Sequence, residues 1–151
     1  MKARFTVLGE PKGKGRPRFI PQTGRAITPK DTVSYENLVK MEYQAQCRDP
    51  RTNEMIRFPD GAMLDMRILA YYGIPASKSK KVKAQMMIGL VRPTKKPDMD
   101  NVMKIVADSL NNIAYHDDTQ IVDCQIRKFY SEQPRIEVSI TEVAPKSKED
   151  K

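Results

Sequence analysis

The stretch of residues 96–112, KPDMDNVMKIVADSLNN, has the residue spacing of an amphipathic helix. Large apolar residues recur there at intervals of three and four, which places them along one side of a helix. They are Val102, Ile105, Val106 and Leu110. We therefore expect a helix from about Asp100 to Asn111 whose apolar side packs against a core. Its polar side carries Asp100 and Lys104, one helical turn apart.

Strand-like segments surround this helix without a regular strand–helix–strand repeat. The patterns predict strands over residues 3–8, 63–72, 121–130 and 135–143, a small hairpin over 18–28, and two further helices over 30–47 and 75–90. Gln133-Pro134 predicts a turn between the last two strands, so we expect a C-terminal antiparallel hairpin. The fold class that fits is α+β: a single small domain with a mixed β-sheet flanked by helices.

Length and composition agree with one globular domain. The 151 residues are 39% hydrophobic, enough for one core without a disulfide framework. We expect the domain over residues 1–144 and a disordered charged tail, PKSKEDK, over 145–151. Cys47 and Cys124 lack CxxC spacing, which favours reduced thiols. No apolar stretch approaches the roughly 20 residues of a membrane span, and no signal peptide is evident, so we expect a cytoplasmic protein without a membrane role.

Charge is distributed unevenly along the chain. The net charge is +8, and residues 1–30 hold eight Lys or Arg with Glu10 as their one acidic residue. Residues 98–123 hold six Asp and a single Lys. A basic arm and an acid-rich region on one small chain indicate a polyanion ligand and a cation site. Charge alone slightly favours the plainer alternative, a solvated N-terminal segment followed later by a polar helix and loop.

Carboxylates from two neighbouring segments point to metal-assisted chemistry. Asp98 and Asp100 share one face of an extended entry to the helix, and Asp117-Asp118 follow on the next loop. Oxygen ligands of this kind suit Mg²⁺ or Mn²⁺. Such a metal generates hydroxide, and Lys104 would support charge that develops on a phosphate, which is the equipment for phosphodiester hydrolysis. The residues leave an alternative open: Asp100 as an N-cap, Lys104 as its partner and Asp117-Asp118 as a solvated turn.

Basic residues in two loops are candidates for DNA contacts. The Gly/Pro-rich segment 10–18 carries Lys12, Lys14, Arg16 and Arg18. Neutralisation of backbone phosphates supplies much of the affinity of proteins for DNA. Lys95 and Lys96, next to Asp98, are placed to hold a scissile strand near the metal. The plainer alternative for the N-terminal segment is a flexible basic loop without defined contacts.

The run KPDMDNVMK, followed by HDDTQI on the next loop, resembles the signature of RusA-like Holliday-junction resolvases. The N-terminal pattern GEPKGKGRPRF…GRAITP is also similar to phage and Gram-positive members of that family. The resemblance extends from about Gly9 to Phe129. It implies a RusA-like endonuclease domain that resolves Holliday junctions, or other branched DNA, by paired symmetric cleavage in recombination and repair. It also implies a Mg²⁺ cofactor, with Mn²⁺ as a substitute, and a phage or prophage context.

The resemblance assigns roles residue by residue. It places the catalytic residues at Asp98, Asp100, Lys104 and Asp118, with the three Asp as metal ligands. Asp117 receives less weight, because adjacent residues on an extended loop point apart. Asp108 is interpreted as structural, because eight helical residues separate it from Asp100, about 12 Å along the axis.

The resemblance also implies a homodimer. Family members are homodimers, and two symmetric nicks in a four-way junction require two symmetric active sites. The alternative from another class is a non-catalytic basic DNA-binding module whose acidic patch is structural or contacts a partner. A phosphotransferase with a nucleophilic Asp-x-Asp motif is disfavoured, because that motif should end an early strand and precede much more chain than remains here.

Overall fold

A computed structural model describes the backbone of residues 1–15, 18–27 and 29–145, and their side chains except those of Arg18 and Ile27. In chain order the elements are β1 (Lys2–Leu8), β2 (Arg18–Ile20), β3 (Arg25–Ile27), α1 (Lys30–Gln46), β4 (Leu64–Gly73), α2 (Lys80–Met87), α3 (Met99–Ser109), a 3₁₀ turn (Asp118–Gln120), β5 (Ile121–Ser131) and β6 (Arg135–Glu142). The predictions for Arg16, for the side chain of Arg18 and for residues 146–151 of the tail predicted over 145–151 lie outside the described residues.

One four-stranded mixed sheet organises the chain, with strand order β1-β6-β4-β5. β6 pairs antiparallel with both β1 and β4, whereas β5 pairs parallel with β4. The short strands β2 and β3 form a separate antiparallel pair, as predicted for 18–28. The structure therefore confirms the α+β class with a mixed sheet and helices. The parallel pair adds one strand–helix–strand crossover that the sequence patterns did not predict.

The pairing of the two C-terminal strands differs from the expected hairpin. β5 and β6 run antiparallel to each other, as predicted, but β4 lies between them in the sheet. The reason is visible in their burial: alternate residues of β4 are buried from Leu64 to Tyr72, whereas Val122 to Gln125 of β5 are exposed. The more apolar strand takes a central position and the polar one takes the edge. The link of residues 132–134 passes the end of β4.

The helices follow the predicted positions with one correction. α1 and α3 agree with the predicted spans to within two residues. α2 is much shorter than the expected 75–90, because it begins only after Ser79, whose side chain accepts a hydrogen bond from the Val82 N–H. It ends before Gly89, which adopts a positive φ of 80°. No helix in the described part of the chain has both the length and the apolar character that a membrane span requires.

The core lies between one face of the sheet and helices α1 and α3. The four apolar residues of α3 singled out above, Val102, Ile105, Val106 and Leu110, are completely buried. They pack with Tyr35, Val39 and Tyr43 of α1 and with the buried side chains of β1, β4 and β6. Tyr115, just beyond α3, donates its hydroxyl to the Ala107 carbonyl at 2.7 Å. The rotation of α3 about its axis is therefore fixed by packing.

We expect Ile105→Ala to lower the free energy of unfolding by about 2–5 kcal/mol, because it leaves a cavity at a fully buried position. Met99→Ala is the control on the same helix: Met99 is 61% exposed, so its loss should cost less than about 0.5 kcal/mol. Urea unfolding measures both. An equal loss of unfolding free energy in the two variants would contradict the burial of the Ile105 side of α3.

Candidate active site

Two of the predicted catalytic carboxylates lie at the N-terminal end of α3. The loop that leads into the helix is held to the sheet by Tyr72, whose hydroxyl donates to the Pro97 carbonyl at 2.6 Å. Asp98 is the N-cap residue and Asp100 lies in the first turn. Negative charge is favoured at this position because the helix dipole and the free N–H groups face it. The sequence-based prediction of a helix start beside Asp100 is therefore confirmed.

An open cleft of about 650 Å³ adjoins this end of the helix. Its lining residues are Gly13, Lys14, Lys96, Pro97, Asp98 and Asn101. The cleft thus brings the N-terminal basic segment next to the Asp-x-Asp step. Another cleft, of about 480 Å³, lies on the sheet and is lined by residues that include Arg4, Arg67 and Arg127. None of the predicted site residues lines that second cleft.

The third predicted carboxylate, Asp118, lies at the other end of α3. Its backbone N–H donates to the Asn111 side-chain oxygen at 2.8 Å, and its carboxyl group is in hydrogen-bond contact with that of Asp108. Partial burial raises the pKa of Asp118, and the neighbouring Asp108 carboxylate raises it further. Asp108, interpreted from sequence as structural, is therefore the closest acidic partner of a predicted catalytic residue.

The predicted metal ligands do not form one cluster in this structure. Asp100 and Asp108 are two helical turns apart, about 12 Å along the axis, and Asp118 lies beside Asp108. Among the described residues, no three His, Cys, Asp or Glu side chains are grouped so as to hold a metal ion. Lys104 is exposed and lies one turn from Asp100 and one turn from Asp108. The three-carboxylate ligand set thus stays a prediction.

Asp117 and Gln120 give the loop after α3 its shape. The Asp117 carboxylate accepts from the Thr119 N–H, and hydrogen bonding by the Thr119 side chain and backbone lowers the pKa of Asp117. The Gln120 side-chain oxygen accepts from the N–H groups of His116 and Asp117, and its amide nitrogen donates to the carbonyls of Pro59 and Ala62. Sequence reasoning did not single out Gln120. The signal that would have found it is the Asp-x-x-Gln spacing of a capping box.

The predicted DNA-binding residues differ in whether their side chains are exposed or paired with other groups of the protein. Lys12 is exposed, and Lys96 lines the cleft beside Asp98. Lys95 places its ammonium 5.8 Å from the centre of the Tyr130 ring. Lys14 instead forms ion pairs with Glu36 at 2.9 Å and Asp108 at 3.0 Å. Burial lowers the pKa of Lys14, but these two carboxylates outweigh that effect and leave the pKa above its ordinary value.

Two further cations beside the cleft were not predicted from the sequence. Lys128 of β5 donates to the Lys95 carbonyl at 2.7 Å, and its ammonium lies 4.9 Å from the centre of the Tyr72 ring. Arg92 lies 4.5 Å from the centre of the Phe129 ring and donates to the Lys128 carbonyl. The available signal was the run of two basic residues followed by two aromatic residues over 127–130. These contacts tie the basic loop before α3 to the sheet.

We expect Gln120→Glu to lower the free energy of unfolding by about 2 kcal/mol, because two carbonyls lose their donors and face a carboxylate instead. Activity should fall with it, since the same side chain shapes the loop that carries Asp118. Gln133→Glu in the exposed turn before β6 is the matched control and should cost less than about 0.5 kcal/mol. Urea unfolding of both variants measures the two free energies of unfolding. Indistinguishable midpoints would show that Gln120 does not hold this loop.

Comparison with known proteins identifies the family. The Endodeoxyribonuclease RusA family matches residues 9–141. The chain is 40% identical over 148 residues to the protein named "Uncharacterized protein YqaN" of Bacillus subtilis (strain 168), covering 93% of this chain and 96% of that protein. It is 45% identical over 51 residues to "Crossover junction endodeoxyribonuclease rusA" of Lactococcus phage r1t, covering 33% and 39% of the two chains. Members of this family are metal-dependent nucleases that hydrolyse phosphodiester bonds of DNA. The chain belongs to the RusA endodeoxyribonuclease family.

Proposed function

We propose that this protein resolves Holliday junctions by paired symmetric phosphodiester cleavage, with Mg²⁺ as its cofactor and Mn²⁺ as a substitute, in DNA recombination and repair. The observation that carries the proposal is the cleft at the start of α3, where Lys96 and Asp98 line the same cavity beside the basic N-terminal segment. A phosphate backbone and a carboxylate-bound cation would both find partners there. The phage relative named a crossover junction endodeoxyribonuclease supports branched DNA as the substrate.

Each predicted catalytic residue has a role in this proposal. Asp98, Asp100 and Asp118 are the proposed metal ligands, and the bound ion would supply a hydroxide nucleophile and stabilise the leaving oxygen. Lys104 is solvent-exposed on the polar side of α3, so its ammonium is available to a phosphate oxygen. Asp118 lies beside Asp108 in this structure, and the sequence resemblance to the family supports its inclusion in the ligand set.

The DNA backbone is proposed to contact the basic residues around the cleft. Lys12, Lys95 and Lys96 are the proposed phosphate contacts among the described side chains, and Arg16 and Arg18 belong to the group by prediction. Lys14, which the sequence also placed in this group, lines the cleft but is ion-paired with Glu36 and Asp108. Each lysine that neutralises a phosphate releases bound counterions, so binding should weaken steeply as salt rises. Lys128 and Arg92 contribute by holding the loop that carries Lys95 and Lys96 against the sheet.

Asp100→Asn tests the reaction and its site together. We expect the variant to bind a synthetic four-way junction with nearly wild-type affinity, because the change removes one charge from an exposed helix start and no packing contact. Cleavage of the junction in Mg²⁺ should fall by at least about a hundredfold, since the carboxylate acts only in the reaction. The measurement is cleavage of an end-labelled junction, with gel-shift affinity measured on the same preparation.

A linear duplex of the same sequence and an EDTA arm are the controls for this assay. Loss of junction binding together with cleavage would show that Asp100 is structural. Wild-type protein that binds the junction tightly but leaves it intact in both Mg²⁺ and Mn²⁺ would support the alternative, a non-catalytic DNA-binding module.

A homodimer is proposed because one 17.3 kDa chain offers one such site, whereas symmetric resolution needs two. Light scattering coupled to size-exclusion chromatography should therefore give twice the chain mass in the absence of DNA. A monomer mass both alone and on the junction would refute this part of the proposal.

A further inference from the structure

Residues 13–15, Gly-Lys-Gly, form a strap that joins α1 to α3. The Lys14 backbone N–H donates to the Asn101 carbonyl on α3 at 3.0 Å. The Gly15 N–H donates to the Thr32 hydroxyl oxygen on α1, also at 3.0 Å. The strap is therefore fixed at both ends to the two helices that build the core.

Neither glycine of the strap has room for a side chain. A Cβ on Gly13 would lie 2.9 Å from the Asn101 Cβ and 3.0 Å from the Pro97 Cβ. A Cβ on Gly15 would lie 2.7 Å from the Thr32 Oγ1 and 2.9 Å from the Pro29 Cγ. Such approaches are closer than packed carbon atoms tolerate. The glycines thus let the strap lie against the helices, and Lys14 is its only side chain.

The Lys14 side chain reaches a row of carboxylates. Its ammonium is 2.9 Å from a Glu36 oxygen on α1 and 3.0 Å from an Asp108 oxygen on α3, and Asp108 in turn contacts Asp118. An ammonium has three N–H donors, and two of them are directed at these carboxylates. Lys14 is half-buried, unlike the exposed Lys12 two residues earlier. This is the environment of an internal counter-charge and not of a free phosphate contact.

We propose that Lys14 is a positioning residue for the cleavage reaction: its ammonium holds the Asp108 carboxylate and through it sets the placement of Asp118. The assignment rests on the proposed nuclease function. It also makes the strap a mechanical link, because the same residue bonds to the N-terminal turn of α3 through its backbone and to the C-terminal part of α3 through its side chain. The strap thus connects the Asp98 cleft with the Asp118 loop.

Three variants separate positioning from phosphate binding. The assay measures single-turnover cleavage of a four-way junction, with the enzyme in excess and at a saturating concentration. Under these conditions Lys14→Met should lower the rate constant for cleavage about tenfold or more. Its junction affinity should keep the wild-type dependence on salt. Lys14→Arg should recover most of the rate, because a guanidinium can bridge the same two carboxylates. Lys12→Met, at a proposed phosphate contact, should instead reduce the salt slope of junction affinity by about one unit.

The pairing itself is tested without any activity. Urea unfolding of wild type, Lys14→Met, Asp108→Asn and the double variant forms a double-mutant cycle. We expect Lys14→Met to lower the unfolding midpoint in the wild-type background and to lower it less when Asp108 is already Asn, because one of the two carboxylates that the ammonium balances is gone. If Lys14→Met does not fold, Asp108→Asn and Lys14→Arg still report on the same pair.

Two results would overturn the proposal. One is a Lys14→Met variant that keeps the full single-turnover rate and loses one unit of salt slope, since that is the behaviour of a phosphate contact. The other is an equal midpoint shift in both backgrounds of the cycle. A wild-type protein that cuts no junction would refute the proposed function and the catalytic part of this assignment, whereas the cycle would still decide whether Lys14 holds Asp108.

Discussion

The burial of one side of α3 is the constraint on which the rest of the structure depends. Val102, Ile105, Val106 and Leu110 are inaccessible to solvent, and no rotation of the helix would keep all four in the core. The polar side is therefore fixed as well. Asp100, Lys104 and Asp108 lie along that side at successive turns, and the loops around α3 are arranged with respect to it.

Three sets of hydrogen bonds to backbone carbonyls hold the loops around α3 in place. Tyr72 holds the loop before α3 through the Pro97 carbonyl, the Gly-Lys-Gly strap bonds to Asn101, and Gln120 fixes the loop after α3 to the segment around Pro59. Backbone partners fix loops without dependence on neighbouring side chains. The polar side of α3 is thus surrounded by ordered segments on which functional side chains have defined places.

The acidic pair of Asp108 and Asp118 brings like charges together beside α3. Partial burial raises the pKa of Asp118, and contact with the Asp108 carboxyl group, which disfavours the doubly ionised form of the pair, raises it further. The protein offsets this repulsion in part with the Lys14 ammonium on Asp108. Unfavourable charge of this kind is common at functional sites, where stability is lost in exchange for activity. A cation that approached this loop would relieve the repulsion.

The local sequence pattern predicted the helices and strands well. It predicted less well which segments, distant in sequence, would pair with each other. The bounds and buried side of α3 followed from its apolar spacing, and the position of Asp100 at a helix start followed from the preceding loop. The placement of β4 between β5 and β6 did not follow, because a turn signal at Gln133-Pro134 says nothing about which strand is more apolar. The ion pairs of Lys14 were also out of reach, because a basic Gly-rich segment looks the same whether it faces DNA or two helices.

Paired cleavage of branched DNA in two symmetric strands is the function proposed for this chain. The most direct test maps nicks at nucleotide resolution on a four-way junction whose strands are end-labelled one at a time, in Mg²⁺. We expect nicks in two opposing strands at positions related by the twofold axis of the junction, with the other two strands intact. Nicks of equal yield in all four strands, or at the same positions in the corresponding linear duplexes, would contradict the account.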